Sequence, residues 1–128
     1  VPGTEYCGND HYEEQLADMK EIDQYIFFDL YQDFTDSTAI YPPEKGLEYT
    51  ALGLASEAGE FAGKVKKMIR DKTYDTDALI AELGDVLWYV ARAAAELDVH
   101  LSDVAKDNVE KLKSRMERNV VKGDGDNR

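Results

Sequence analysis

Basic residues are scarce in this chain of 128 residues. It carries 15 Lys and Arg against 27 Asp and Glu, which gives a net charge of −12. This balance argues against nucleic acid as a partner, because binding a phosphate backbone depends on Lys and Arg clustered on one face. A protein of this charge that handles phosphates needs a cation to mediate the contact.

Long apolar runs and cysteines are also lacking. The longest uninterrupted apolar run covers residues 86–91, well short of the ~20 residues that a membrane helix needs. We therefore expect neither a membrane span nor a signal peptide. The single cysteine, Cys7, has no partner for an intramolecular disulfide, which fits a reducing cytoplasm.

No stretch alternates polar and apolar residues for long enough to predict a strand, so the predicted fold class is all-α. Apolar residues recur instead every three or four positions, which is typical of amphipathic helices. This spacing predicts one helix over about 10–34, or two helices separated near Asp23. It also predicts helices over about 47–70 and 76–97. A last helix follows, with Ser102 as its N-cap, and extends to about Met116.

These helices divide the chain into three parts. Residues 1–22 are predicted to be a partly helical extension, 23–118 one helical domain and 119–128 a flexible tail. Four to five helices in so short a chain make a thin bundle, and their apolar stripes carry large side chains such as Phe27, Phe28 and Trp88. Self-association is expected to cover the apolar side chains that one chain cannot bury by itself.

Two acid-x-x-acid motifs, Glu57 with Glu60 and Glu82 with Asp85, stand in the second and third predicted stretches. Residues three apart in a helix lie on the same side. Two carboxylates on one face repel each other, so a stabilising arrangement has to supply a cation. If the two helices pack side by side, four carboxylates converge.

A surface ladder of ion pairs is the plain alternative for the first motif, because Lys64 and Lys67 follow it at helical spacing. It is weaker for the second motif, whose nearest downstream base is Arg92 and whose acids border Trp88 and Tyr89. Carboxylates beside aromatic side chains are costly unless something neutralises them.

Mg²⁺ is the natural cation for such a cluster, because protein carboxylates and substrate phosphates commonly hold this ion together. Gly59 and Gly84 lie inside the motifs, where glycine costs about 1 kcal/mol relative to alanine. We expect close helix approach or ligand access to require them. Neither His11 nor His100 completes a Glu-x-x-His di-iron motif, and one cysteine with two distant histidines does not predict a zinc site.

The chain resembles the MazG-like nucleoside triphosphate pyrophosphohydrolases over about residues 26–115. The similarity lies in the order of its motifs, which are Tyr31-Gln32, Tyr41-Pro42, Leu52-Gly53-Leu54, Glu57-Ala58-Gly59-Glu60 with Lys64 and Lys67, Glu82-Leu83-Gly84-Asp85-Val86-Leu87-Trp88-Tyr89, and Asn108 with Lys111. The resemblance implies an all-α fold assembled as a dimer or a dimer of dimers, with the active site in an oligomeric four-helix bundle.

The same resemblance implies hydrolysis of a (deoxy)nucleoside triphosphate to the monophosphate and pyrophosphate, with Mg²⁺ as cofactor and Mn²⁺ as a substitute. Nucleotide-pool housecleaning is the expected purpose. By position, the metal ligands and catalytic residues are Glu57, Glu60, Glu82 and Asp85. One of the first pair is expected to position or deprotonate the attacking water.

Substrate contacts follow from the resemblance in the same way. Lys64, Lys67, Lys111 and Arg115 are candidates to bind phosphate oxygens, although each is also an ordinary helix-face charge. Asn108 is expected on the apolar side of the last helix, either near the metal or nucleotide or as a satisfied core amide. Aromatic side chains and an amide suit a base pocket, or else the core or an interface; the candidates are Trp88, Tyr89, Tyr31 and Gln32.

Two other functions stay open at this stage. Relatives with similar motifs cleave phosphoribosyl-ATP. In this alternative the fold and the metal site stay the same and the substrate differs. A catalytically silent helical oligomer would instead bind a protein partner through an exposed apolar stripe, and its four acids would be replaceable.

Overall fold

A computed structural model describes residues 21–128, with side chains from residue 24 onwards. Nearly all of the predicted N-terminal extension lies outside the described residues, as do Cys7 and His11. The described part contains four helices and a 3-10 turn at Pro43–Lys45; the helices are α1 (Glu21–Asp36), α2 (Gly46–Asp71), α3 (Thr76–Glu96) and α4 (Leu101–Glu117). No strand occurs in it, which confirms the all-α class.

A short turn joins α2 to α3, and both helices match their predicted ranges within one residue. Lys72 ends α2 in the left-handed conformation, with φ of 53°, and its N–H donates to the Met68 carbonyl. Asp75 begins α3 by accepting a hydrogen bond from the Ala78 N–H at 3.1 Å. Asp75 is therefore a local sequence signal for the start of α3, whereas Lys72 is not one for the end of α2, because left-handed caps favour Gly or Asn.

The helix pair α2 and α3 forms the largest contact of the fold. The two helices approach closely at Gly53, where an added Cβ would collide with the Tyr89 ring. At Gly59 and Gly84, by contrast, no atom described outside the helix's own neighbouring backbone lies within 4 Å of such a Cβ. The prediction that close helix approach explains these two glycines is wrong within one chain, because the space beside both of them is open.

Helix α1 lies against α3 and α4, and its side chains accept hydrogen bonds from the N-terminus of α4. The N-cap residue is His100, which makes no side-chain capping bond, so the prediction of Ser102 as N-cap is wrong. The Leu101 N–H donates to Gln32 Oε1 at 2.9 Å, and the Ser102 N–H donates to Asp29 Oδ1 at 3.0 Å. Side chains of α1 thus satisfy two of the free N–H groups with which every helix begins.

The core of the described residues is small. Its buried apolar residues are Ala91, Ala94 and Leu101, whereas large apolar side chains such as Phe27 (68% exposed) and Phe34 (66% exposed) face outwards. None of the described helices is both long enough and apolar enough to cross a membrane. The apolar stripes of the helices are therefore only partly covered within one chain.

Candidate metal centre

Three of the four predicted acids meet where α2 and α3 lie side by side. Glu57 of α2 and Glu82 and Asp85 of α3 each place a carboxylate oxygen within 4.8 Å of the other two. Glu60 is exposed and stands outside this group, although its charge contributes to raising the pKa of Glu57. We call Glu57, Glu82 and Asp85 the carboxylate cluster.

Lys64 joins the cluster from α2. Its Nζ lies 2.6 Å from Glu82 Oε1, so Lys64 forms an ion pair across the two helices and not the ladder with Glu60 that the sequence allowed. Glu82 is buried, and among the described residues its second oxygen, Oε2, has no hydrogen-bond partner. One oxygen of this carboxylate is therefore neutralised and the other is left unsatisfied.

The carboxylates of the cluster differ in their affinity for protons. The hydrogen bond from Lys64 holds the pKa of Glu82 below its ordinary value and raises the pKa of Lys64, despite the opposing effect of burial. Burial raises the pKa of Glu57, and the charges of the nearby Asp85, Glu82 and Glu60 add to this rise. Negative charge thus accumulates here beyond what Lys64 offsets.

A divalent cation fits this donor set. A buried carboxylate oxygen without a partner is costly, and the cluster offers oxygen ligands from three side chains that repel one another. A hard cation would both pair with the orphan Oε2 and remove the repulsion that raises the pKa of Glu57. The chemistry of the side chains, on this observation, suits a hard divalent cation.

A pocket of about 320 Å³ opens beside the cluster, lined by Thr38, Glu57, Asp85, Trp88 and Tyr89. The Trp88 Nε1–H donates to Thr38 Oγ1 at 2.8 Å, and the rings of Trp88 and Tyr89 meet edge to face with centroids 4.9 Å apart. Trp88 is thereby held as one wall of a space that also contains two of the acids. Thr38 lies in the loop after α1, where no sequence pattern singled it out.

Gln32 is placed elsewhere. Its Nε2 donates to the carbonyls of Ala91 and Val99, and its Oε1 accepts from the Leu101 N–H. The amide is buried and tied to backbone groups at the α3–α4 junction, and Gln32 does not line the pocket beside Trp88. Its contacts are those of a structural residue.

The remaining predicted substrate residues lie apart from the pocket of Trp88. Lys67 is exposed on α2 and lines a separate pocket with Lys64. On α4, Asn108 is exposed and not on a buried face as expected, while Lys111 and Arg115 both contact Asp126 of the C-terminal segment. One chain alone thus does not bring the basic residues of α4 into the pocket lined by the acids.

A helical fold with carboxylates from two adjacent helices defines a class of all-α protein suited to a divalent cation. Within that class, the chain belongs to the MazG nucleotide pyrophosphohydrolase domain family, whose model matches residues 45–120. The matched segment includes the carboxylate cluster and Glu60 and leaves out α1. The family resemblance predicted from the motifs is confirmed, and membership supports nucleotide pyrophosphohydrolase activity in general.

A curated relative of similar length is the Gene 37 protein of Mycobacterium phage L5. It is 50% identical over 111 residues, which cover 78% of this chain and 97% of the relative. Its name does not state an activity. No solved structure matches the chain significantly.

Proposed function

We propose that the protein hydrolyses (deoxy)nucleoside triphosphates to the nucleoside monophosphate and pyrophosphate in the presence of Mg²⁺, with Mn²⁺ as a substitute. The observation that carries the proposal is the convergence of Glu57, Glu82 and Asp85 beside an open pocket, in a chain of the MazG nucleotide pyrophosphohydrolase domain family. Removal of unwanted triphosphates from the nucleotide pool is the proposed purpose.

The acids Glu57, Glu60, Glu82 and Asp85 would hold the cation. When bound, Mg²⁺ supplies charge stabilisation at the phosphoryl oxygens and lowers the pKa of a bound water. Lys64 keeps Glu82 ionised and fixed, so that its free Oε2 is available as a ligand. Glu57 or Glu60 would take the proton of the attacking water as the bond between the α- and β-phosphates breaks and pyrophosphate leaves.

The base would enter the pocket beside the cluster. Trp88 presents an aromatic face, and aromatic faces stack on any base. The bond from Trp88 to Thr38 and the edge-to-face contact with Tyr89 hold the indole in place. Gln32 is not included in this base site, since its amide already binds three backbone groups.

The phosphate contacts would be completed by assembly. Lys64 and Lys67 lie on the same helix as Glu57, whereas Asn108, Lys111 and Arg115 lie on α4, outside the pocket of Trp88. We propose a homodimer or a dimer of dimers that brings α4 of one copy to the acids of another. The exposed apolar stripes, including Phe27 and Phe34, support such an assembly.

Product analysis tests the proposed reaction. The full chain is incubated with a panel of ribo- and deoxyribonucleoside triphosphates, with Mg²⁺ and separately with a chelator, and the products are separated by chromatography. We expect monophosphate and pyrophosphate in equal amounts, only with metal, and a ranking of bases. Turnover of phosphoribosyl-ATP alone would replace the substrate, and no turnover of any compound would favour a non-catalytic oligomer.

A further inference from the structure

The segment after α4 folds back and closes on itself. The Arg128 guanidinium donates to the carbonyls of Val120 at 3.1 Å and Val121 at 3.3 Å, and also to that of Gly125. Arg118 Nη2 in turn donates to the Arg128 carbonyl at 2.7 Å. We call residues 119–128 the tail loop; hydrogen bonds from the side chains of Arg118 and Arg128 to carbonyl oxygens hold its shape.

The tail loop presents one acid to two bases of α4. Asp126 Oδ1 lies 3.2 Å from Arg115 Nη2 and 3.4 Å from Lys111 Nζ, and the Asp126 carbonyl accepts a second bond from Arg115 Nη2 at 3.2 Å. These two cations hold the pKa of Asp126 below its ordinary value. A carboxylate thus lies on the same two side chains that are proposed to bind phosphate oxygens.

The match between Asp126 and Arg115 is incomplete. The Arg115 side chain is 6% exposed, whereas that of Asp126 is 83% exposed, so the base is fixed and the acid lies at the surface. The buried Nε–H of Arg115 has no hydrogen-bond partner among the described residues. Asp126 engages one side of the guanidinium only, although the planar fork of arginine suits an oxyanion that accepts from Nε and Nη2 together.

An oxyanion with more acceptors fits this site better than Asp126 does. A phosphoryl group offers three oxygens, enough to accept from Nε and Nη2 of Arg115 and from Lys111 at once. Burying a donor without a partner is costly, and a ligand that also accepts from Nε would remove this cost, whereas Asp126 does not. The surplus donor therefore favours exchange of the carboxylate for a phosphate-like ligand.

We propose that the tail loop is an intramolecular competitor of the substrate, in which Asp126 occupies the oxyanion site of Arg115 and Lys111 and has to leave before a polyphosphate enters. The identity of the ligand rests on the proposed function. The apparent affinity for a ligand is the intrinsic affinity multiplied by the fraction of molecules whose site is free. The tail loop therefore lowers the apparent affinity for the triphosphate.

Inorganic tripolyphosphate, with a chelator present, tests the competition without metal and without turnover. Calorimetry on the full chain compares the unchanged protein with Asp126→Asn and with Asp124→Asn. The Asp124 substitution is the matched control, because it removes the same charge from the same loop and keeps an acceptor for the Gly125 N–H. We expect Asp126→Asn to bind about two- to fivefold more tightly, since an ion pair with one exposed partner competes weakly, and Asp124→Asn to bind as the unchanged protein does.

Amide hydrogen exchange gives a second measurement that does not depend on a variant. Saturating tripolyphosphate is expected to accelerate exchange in residues 119–128 of the unchanged chain. Lys111→Gln is expected to weaken binding with and without Asp126→Asn and to leave a gain from Asp126→Asn, because Asp126 still contacts Arg115. Equal affinities in all three proteins, no binding at all, or unchanged exchange at saturation would each overturn the competition, whereas a failed hydrolysis assay with these results intact would overturn only the proposed reaction.

Discussion

Lys64 of α2 and Glu82 of α3 form an ion pair with Nζ and Oε1 2.6 Å apart, at the point where the two helices bring three carboxylates together. The pair links the helices that carry the two acid motifs. It also uses one oxygen of Glu82 and leaves the other without a partner among the described residues. Lys64 is therefore both a structural contact between α2 and α3 and part of the electrostatics of the carboxylate cluster.

Replacing Lys64 by Gln is expected to raise the pKa of Glu82, because the hydrogen bond from Lys64 is the main cause of its lowered value. A carboxylate with a lowered pKa stabilises the fold above its unfolded pKa of about 4.3, and this contribution is lost as the pH falls through the folded value. The variant should thus lose stability at pH 7 and match the unchanged protein near pH 2.

NMR titration of the Glu82 carboxyl in the presence of a chelator measures the first effect, and urea unfolding at the two pH values measures the second. Lys67→Gln on the same helix is the control, since Lys67 is exposed. A pKa of Glu82 that is unchanged in Lys64→Gln would contradict the assigned role of the ion pair.

Asp85→Asn is expected to reduce kcat by more than about 100-fold, because loss of a metal ligand should exceed the cost of losing one of its supporting contacts. Asp85 is exposed and its charge raises the pKa of Glu57, so the fold should remain intact or become slightly more stable. Steady-state hydrolysis and circular dichroism measure the two quantities. Asp77→Asn in the first turn of the same helix is the control, and full activity in Asp85→Asn would remove Asp85 from the metal centre.

Mg²⁺ is expected to raise the melting temperature of the protein. A ligand that binds only the folded state stabilises it by about 2.7 kcal/mol at 100 times its dissociation constant. Calorimetric scans with and without millimolar MgCl₂ measure the shift, and NaCl of equal ionic strength is the control. Asp85→Asn should lose most of the shift; a shift of the same size in that variant would mean that the cation binds elsewhere.

Gly53→Ala and Gly59→Ala are expected to change stability in opposite directions. A methyl group at Gly53 would collide with the Tyr89 ring, whereas the space around Gly59 is open. Overpacking costs about 1–3 kcal/mol, and alanine in an open helix position gains up to about 1 kcal/mol over glycine. Urea unfolding measures both; stabilisation by Gly53→Ala would contradict the close approach of α2 and α3.

Phe27→Ser combined with Phe34→Ser is expected to weaken self-association, because these side chains lie seven residues apart on one face of α1 and are about two-thirds exposed. Sedimentation velocity over a range of concentrations measures the oligomeric state. Ile40→Ser is the matched control, since Ile40 is an isolated apolar side chain in a loop and 94% exposed. If the double phenylalanine variant forms the same assembly as Ile40→Ser, the interface lies away from this face of α1.

The sequence predicted those features whose causes lie within a few residues. The spacing of apolar residues located α2 and α3, and the repulsion within each acid motif indicated a cation site. The partner of Lys64 could not be predicted in this way, because the choice between Glu60 and Glu82 depends on how the two helices align. Ser102 failed as an N-cap for a similar reason: its hydroxyl and N–H bind Asp29, 73 residues earlier in the chain.

The contacts of Gln32 also could not be predicted from its neighbours in the sequence. A polar residue next to a tyrosine suggested recognition of a base, but both ends of its amide bind backbone groups brought together by the α3–α4 junction. The tail loop is a further case, since the contact of Asp126 with Arg115 requires the chain to reverse direction after α4. Such long-range contacts carry no local pattern.

The first two N–H groups of α4, those of Leu101 and Ser102, are bound by side chains of α1, and the N-cap residue His100 makes no side-chain capping bond. The first turn of α4 is complete only once Gln32 and Asp29 are in position. Folding of α4 is therefore conditional on docking of α1, and the two helices, distant in sequence, are expected to form and melt together as one cooperative unit.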